Sequence, residues 1–128
     1  MIMDSSALVA IFAREPEREQ FLELIATDRP RMSVANWVET GLVLDNRSSR
    51  NPPLLDDLAT AIDLELVPVD VMQGRVAREA HRRYGKKSGS PAELNYGDCF
   101  AYALAITTGD TLLFKGDDFT HTDVRPAA

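Results

Sequence analysis

Leu94–Phe119, LNYGDCFAYALAITTGDTLLFKGDDF, holds the reading that decides the fold. Asn95–Thr108 is strongly apolar and long enough to be a buried helix. Its start carries Asn95 followed three residues on by Asp98, a capping box with Asp in place of the usual Glu. Gly109 is the expected stop. Thr111–Phe114 then reads as a short buried strand of the parallel type, and Gly116-Asp117-Asp118 as a turn. A buried helix feeding a buried strand is the repeating unit of an α/β domain.

The same alternation runs upstream. Met1–Met3 is an apolar strand ending at Asp4, and SSALVAIFAR (5–14) follows as a helix with Leu8, Ile11 and Phe12 in phase. A second helix is expected from about Pro16, with Phe21, Leu24 and Ile25 on one face. Arg31–Val34 reads as a strand and Ala35–Asn46 as a helix with Val38 and Leu42 on one side. NRSSRNPP (46–53) reads as a loop. Leu54–Asp63 is a helix whose face is Leu54, Leu58, Ala61 and Ile62. Leu66–Val69 is a strand that Pro68 pushes toward a sheet edge. Val71–Tyr84 is a helix, Gly85–Leu94 the clearest loop, and Val124 marks one last short strand. These elements predict a single α/β domain over residues 1–128, with a mainly parallel sheet covered on both faces.

The bulk numbers narrow the class. At 128 residues the chain can bury a core without staples. One cysteine, Cys99, excludes a disulfide framework and a multi-cysteine zinc site. Asp4 follows only three apolar residues with no basic start, so no signal peptide is expected. No apolar run reaches the roughly 18–20 residues that span a bilayer. A cytoplasmic protein without membrane contact is the expectation. The net charge of −6 argues against non-specific nucleic-acid binding, unless the acids are gathered around a cation that itself attracts phosphate.

Where the acids fall is therefore informative. Asp4 and the Asp117-Asp118 pair lie just past strand ends, where open α/β sheets bind their ligands. Each has an innocent reading: Asp4 and Asp98 as helix caps, Glu39 as a solvated helix residue, Asp117-Asp118 as turn chemistry. Together they describe a set of oxygen ligands for a hard cation. His81 and His121 belong to no close histidine–acid motif, so a two-histidine mechanism is not expected. Arg75, Arg78 and Arg82 form a basic stripe that Lys86 and Lys87 extend, and Lys115 adjoins the last acids. Arg82, Lys86, Lys87 and Lys115 are the candidate phosphate contacts, against a plain solvated face. Trp37 and Cys99 read as core. A phosphatase of the haloacid-dehalogenase type would want Asp-x-Asp after the first strand, where this chain has Ser6. A receiver domain would want paired early acids and finds only the late Lys115.

Four stretches, MIMDSSALVAIF, SVANWVETGLVL, LNYGDCFAYALA and LLFKGDDFTHTDV, occur in the order found in PIN domains. The chain resembles that family from residue 1 to about 124, and within it the VapC-type toxins of bacterial toxin–antitoxin pairs. The resemblance implies a three-layer α/β/α sandwich and an endoribonuclease supported by Mg²⁺ or Mn²⁺. It implies Asp4 and Asp98 as principal metal ligands, with Glu39 completing the site and Ser6 steadying Asp4. In the family's Gly-x-Asp-Phe pattern the second acid is the regular one, favouring Asp118 over Asp117. Catalysis is then expected to run through metal-activated water, leaving a 5′-phosphate and a 3′-hydroxyl. The implied partners are an RNA substrate, a VapB-like antitoxin and a second copy of the chain, with the Leu54–Ile62 helix as a candidate dimer surface. The competing readings are a non-catalytic binding module of the same fold and an acidic-pocket phosphoryl-transfer domain.

Overall fold

The computed structural model describes residues 1–128. Its four short strands are β1 (Ile2–Met3), β2 (Arg31–Ser33), β3 (Glu65–Val67) and β4 (Leu112–Leu113). They form one sheet in the order β3-β2-β1-β4, every pair parallel. Parallel neighbours need crossover connections, and helices supply them. These are α1 (Ser5–Phe12), α2 (Arg18–Thr27), α3 (Val34–Asp45), α4 (Asn51–Ala61), α5 (Val71–Tyr84) and α6 (Tyr96–Thr108).

Alternation along the strands feeds two cores. Ile2 and Leu112 pack with Ala77 and Ala80 of α5 and Leu104 of α6. Met1, Met3 and Leu113 pack on the opposite face with Leu8, Phe21, Leu44 and Leu55 from α1 to α4. The result is the three-layer α/β/α sandwich. The capping box at Asn95 and Asp98 is present, and Gly109 closes α6 in the left-handed conformation (φ 67°). The loop 85–94 is pinched by a bridge between Gly85 and Leu94. β3 is an edge strand, and Pro68 lies just beyond it.

Several boundaries and faces differ from the sequence expectation. Pro16 sits in a turn ahead of α2, which starts at Arg18. The expected loop 46–53 ends early, because α4 begins at Asn51 and takes Pro52 and Pro53 into its first turn, where no N–H is needed. Its buried contact is Leu55 at 3% exposure, while Leu54 is 51% exposed. On α3 the buried line is Asn36, Thr40 and Leu44, leaving Val38 and Leu42 in the open. Val124 is buried but forms no strand. The tail pairs two residues later, with Leu112 N–H donating to Arg125 O and Ala127 N–H to Leu112 O, both at 2.9 Å.

Candidate active site

The carboxyl ends of β1 and β4 deliver Asp4 and Lys115 to one end of the sheet. α3 and α6 bring Glu39 and Asp98 to the same place. Asp4, Glu39 and Asp98 line one cleft of about 470 Å³, together with Ser5, Ser6 and Asn95.

Asp4 follows β1 directly and caps α1. Its Oδ2 accepts from Ser6 N–H at 3.0 Å and from the Ser6 hydroxyl at 2.6 Å. The same hydroxyl oxygen accepts from Lys115 N–H at 3.0 Å, which ties the ends of β1 and β4 together. Asp4 Oδ1 is buried and has no hydrogen-bond partner. Burial pushes the Asp4 carboxyl above its ordinary range, against the Ser6 hydrogen bonds; the Glu39 charge adds to the rise.

Asp98 is held by the box that starts α6. Its Oδ2 accepts from Asn95 N–H at 3.0 Å, while Asp98 N–H donates to Asn95 Oδ1 at 2.8 Å. Burial is the main reason its pKa is pushed up to about 7, and the charges of Asp4, Asp118 and Glu39 push the same way. The capping role and the cleft position are therefore compatible: one oxygen serves the helix while the group still lines the cavity.

Glu39 is clamped by residues that the sequence reading did not single out. Its Oε1 accepts from the Ser5 hydroxyl and from Asn36 Nδ2, the latter at 3.2 Å. Asn36 Nδ2 also donates to Gly97 O at 2.9 Å, joining α3 to the start of α6. A side-chain carbon added at Gly97 would overlap the Glu39 carboxylate. The sequence held a signal for Asn36, a polar residue one helical turn before Glu39, but nothing in it marked Asn36 as buried.

The remaining candidates lie around this centre. Asp117 and Asp118 are exposed beyond β4, and neither lines the cleft. Only Asp118 is among the charges that raise Asp98. Of the four acidic positions read from sequence, Asp4, Glu39 and Asp98 share the cleft, and no group of three or more His, Cys, Asp or Glu side chains forms a ready-made chelate. Lys115 lines the cleft, but its Nζ is paired with Glu15 at 3.0 Å and Glu17 at 3.3 Å. Arg82 pairs with Glu79 at 3.2 Å, and Arg82, Lys86 and Lys87 are exposed without lining the cleft. The Cys99 thiol is buried and pushed up to about 11 by burial and the Asp98 charge, which disfavours a thiolate nucleophile. Trp37 is half-buried against the α1–α4 core.

The PIN domain family model matches residues 1–125. The chain belongs to the PIN-domain family. This PIN domain is 45% identical over 129 residues to Ribonuclease VapC42 of Mycobacterium tuberculosis, covering 99% of the chain and 98% of that relative. Among solved structures it is similar to VapC20 of Mycobacterium tuberculosis, described as a sarcin-ricin loop cleaving toxin. That match has TM-score 0.73 and 19% identity, and covers 98% of both chains. A toxin–antitoxin complex from Klebsiella pneumoniae is also similar, at TM-score 0.68 and 18% identity, covering 92% of this chain and 88% of that one. At those identities the two structures speak for the PIN fold. The relationship to the VapC ribonucleases rests on the 45% identity.

Proposed function

We propose that this PIN domain is an endoribonuclease toxin of the VapC kind that uses Mg²⁺ or Mn²⁺ and is held inactive by an antitoxin protein. Full-length identity to a VapC ribonuclease supports the activity. A toxin–antitoxin complex of the same fold supports a VapB-like partner. No helix is long and apolar enough to cross a membrane, and a cytoplasmic location fits an RNA substrate.

The observation that carries the metal reading is the orphaned oxygen of Asp4. A buried carboxylate with an unpartnered oxygen, beside a second carboxylate whose ionisation is also opposed, is costly unless a cation compensates it. Mg²⁺ commonly takes one or two carboxylates and keeps several waters. Asp4 and Asp98 would hold the ion. Glu39 would complete the site directly or through water, and Asp118 is favoured over Asp117 as the outer acid. When bound, such an ion supplies Lewis acidity at the phosphate and favours deprotonation of water.

The chain's own residues fix the frame. Ser6 orients Asp4, Ser5 and Asn36 orient Glu39, and the Asn95 box orients Asp98. Lys115, with Arg82, Lys86 and Lys87 farther out, is placed at the substrate phosphates; Lys115 exchanges its pairs with Glu15 and Glu17 for RNA. For a homodimer, α4 offers Leu54 as the large apolar side chain of the face read from sequence, since Leu58 and Ile62 pack against the core. The test is to purify the chain without partner, incubate it with RNA in Mn²⁺ or EDTA, and read the product ends by mass spectrometry. Cleavage in Mn²⁺ alone, with 5′-phosphate and 3′-hydroxyl ends, is expected. A 2′,3′-cyclic phosphate would contradict the reading.

A further inference from the structure

Tyr96 is the most exposed large apolar side chain of the molecule, at 79%. It opens α6 between Asn95, which lines the acidic cleft, and Gly97, which packs on Glu39. An exposed tyrosine is usually mobile, but here the ring is braced edge-on by Phe100, with centroids 4.9 Å apart and planes at 75°. Such a geometry is a favourable aromatic contact, and it leaves the outer ring face free.

The surroundings make the position continuous with the cleft. A groove beside Tyr96 and Phe100 shares Glu39 and Asn95 with the acidic cavity. The same two rings also line a second cavity of about 340 Å³. Gly74, Ala77 and Cys99 line it, together with Arg78 and His81 of α5. The cavity holds no acidic residue, in contrast to the cleft it adjoins. Gly74 leaves it open, since a side-chain carbon there would meet nothing within 4 Å. An aromatic face, apolar walls and the Arg78 guanidinium are what a nucleobase with its flanking phosphate requires.

We propose that Tyr96 is a base-stacking residue and that the cavity bounded by Tyr96, Phe100, Arg78 and His81 receives an unpaired nucleobase of single-stranded RNA next to the scissile phosphate. The inference rests on the ribonuclease reading and adds to it a subsite for one base beside the acidic cleft. The phosphate track runs from the acidic cleft past Glu39 and Asn95 to Tyr96, and Arg78 meets the next phosphate. The basic stripe of α5 thus contributes through Arg78 in particular.

The test uses the full chain carrying Asp4→Asn, so that RNA is bound and not consumed. Fluorescence anisotropy with a 12-nucleotide single-stranded RNA is compared with the same oligonucleotide carrying one abasic site at each position in turn. Adding Tyr96→Ala should weaken binding of the intact RNA roughly ten-fold or more, and Tyr96→Trp should preserve it. Gly74→Leu fills the cavity without touching an acid, and should weaken binding similarly while the protein stays folded by circular dichroism. One abasic position should bind as weakly as intact RNA binds to Tyr96→Ala, and should be insensitive to that substitution. Equal affinity of all variants for intact RNA would overturn the proposal. Unchanged RNA affinity with loss of a dimer in sedimentation would assign the surface to a second copy of the chain, and would overturn it too. Wild-type cleavage in Mn²⁺ is scored separately: if it persists while these arms fail, only the base subsite falls, and if no RNA is cleaved or bound, both readings fall.

Discussion

A carbon added to Gly97 would occupy the space of the Glu39 carboxylate, which Ser5 and Asn36 hold in place. The start of α6 is fixed by its capping box, so the movable partner is the end of the Glu39 side chain. Gly97→Ala should therefore fold, with a thermal midpoint close to wild type, and lose roughly 10- to 100-fold in RNA cleavage as the acid is displaced. Wild-type kinetics in this variant would show that the placement of Glu39 is irrelevant. Asp98 makes a separate residue-scale prediction. Its folded pKa is raised to about 7, chiefly by burial, so the folded state binds its proton more tightly than the unfolded chain does. Its contribution to stability is greatest below the unfolded value near 4. It is lost as pH rises toward 7, and is flat above that. In metal-free buffer the thermal midpoint of wild type should fall across this window more than that of Asp98→Asn. Manganese should reverse the trend, because cation binding displaces the proton. Parallel pH profiles of the two proteins would contradict it.

At the scale of elements, helices and strands were legible because their apolar periods are clean, and misreadings arose where one residue decides the face. The two prolines of α4 looked like loop residues. In the structure they occupy the first helical turn, which shifts the helix start and makes Leu55 the buried residue. Leu55→Ala should cost about 2–4 kcal/mol and Leu54→Ala little, measured by urea denaturation; the reverse order would restore the face read from sequence. The buried line of α3 was hidden for another reason. Asn36 and Thr40 are polar, and they are buried with hydrogen bonds that no single-sequence pattern displays, to Gly97 O from Asn36 Nδ2 and to Asn36 O from the Thr40 hydroxyl, while Asn36 Oδ1 has no partner. On α6 sequence and structure agree, because the box, the apolar run and Gly109 all point the same way. Asn95→Ala removes the side-chain acceptor of Asp98 N–H and should cost about 1 kcal/mol, typical of a lost cap, while the Asn95 N–H that holds the Asp98 carboxylate remains, so turnover of the folded enzyme should stay near wild type. A loss of turnover far beyond the loss of stability would show that the Asn95 side chain serves the site directly.

Across the whole molecule, the parallel sheet gathers residues distant in sequence at its carboxyl end, which is why Asp4, Glu39 and Asp98 were identifiable as candidates before their geometry was known. Their supports were not: Ser5, Asn36 and Gly97 act through contacts between elements. Nor did charge alone show that Lys115 is engaged by Glu15 and Glu17. At the far side of the sheet from the cleft, Asp110 braces the strands. Burial disfavours its charge, yet hydrogen bonds from the Met1 amine, Arg31 and Thr111 N–H outweigh this and hold it down at about 2. Its contribution is present above the unfolded pKa near 4 and is lost as pH falls through 2, so Asp110→Asn should flatten the acid limb of the stability curve. An unchanged acid limb would contradict it. The most direct test of the central claim compares wild type with Asp4→Asn, both free of antitoxin, for Mn²⁺ binding by calorimetry and for RNA cleavage. The substitution should abolish tight Mn²⁺ binding and lower cleavage on the order of a hundred-fold or more, while EDTA silences the wild type. Full activity of Asp4→Asn, or wild-type cleavage that persists in EDTA, would contradict it.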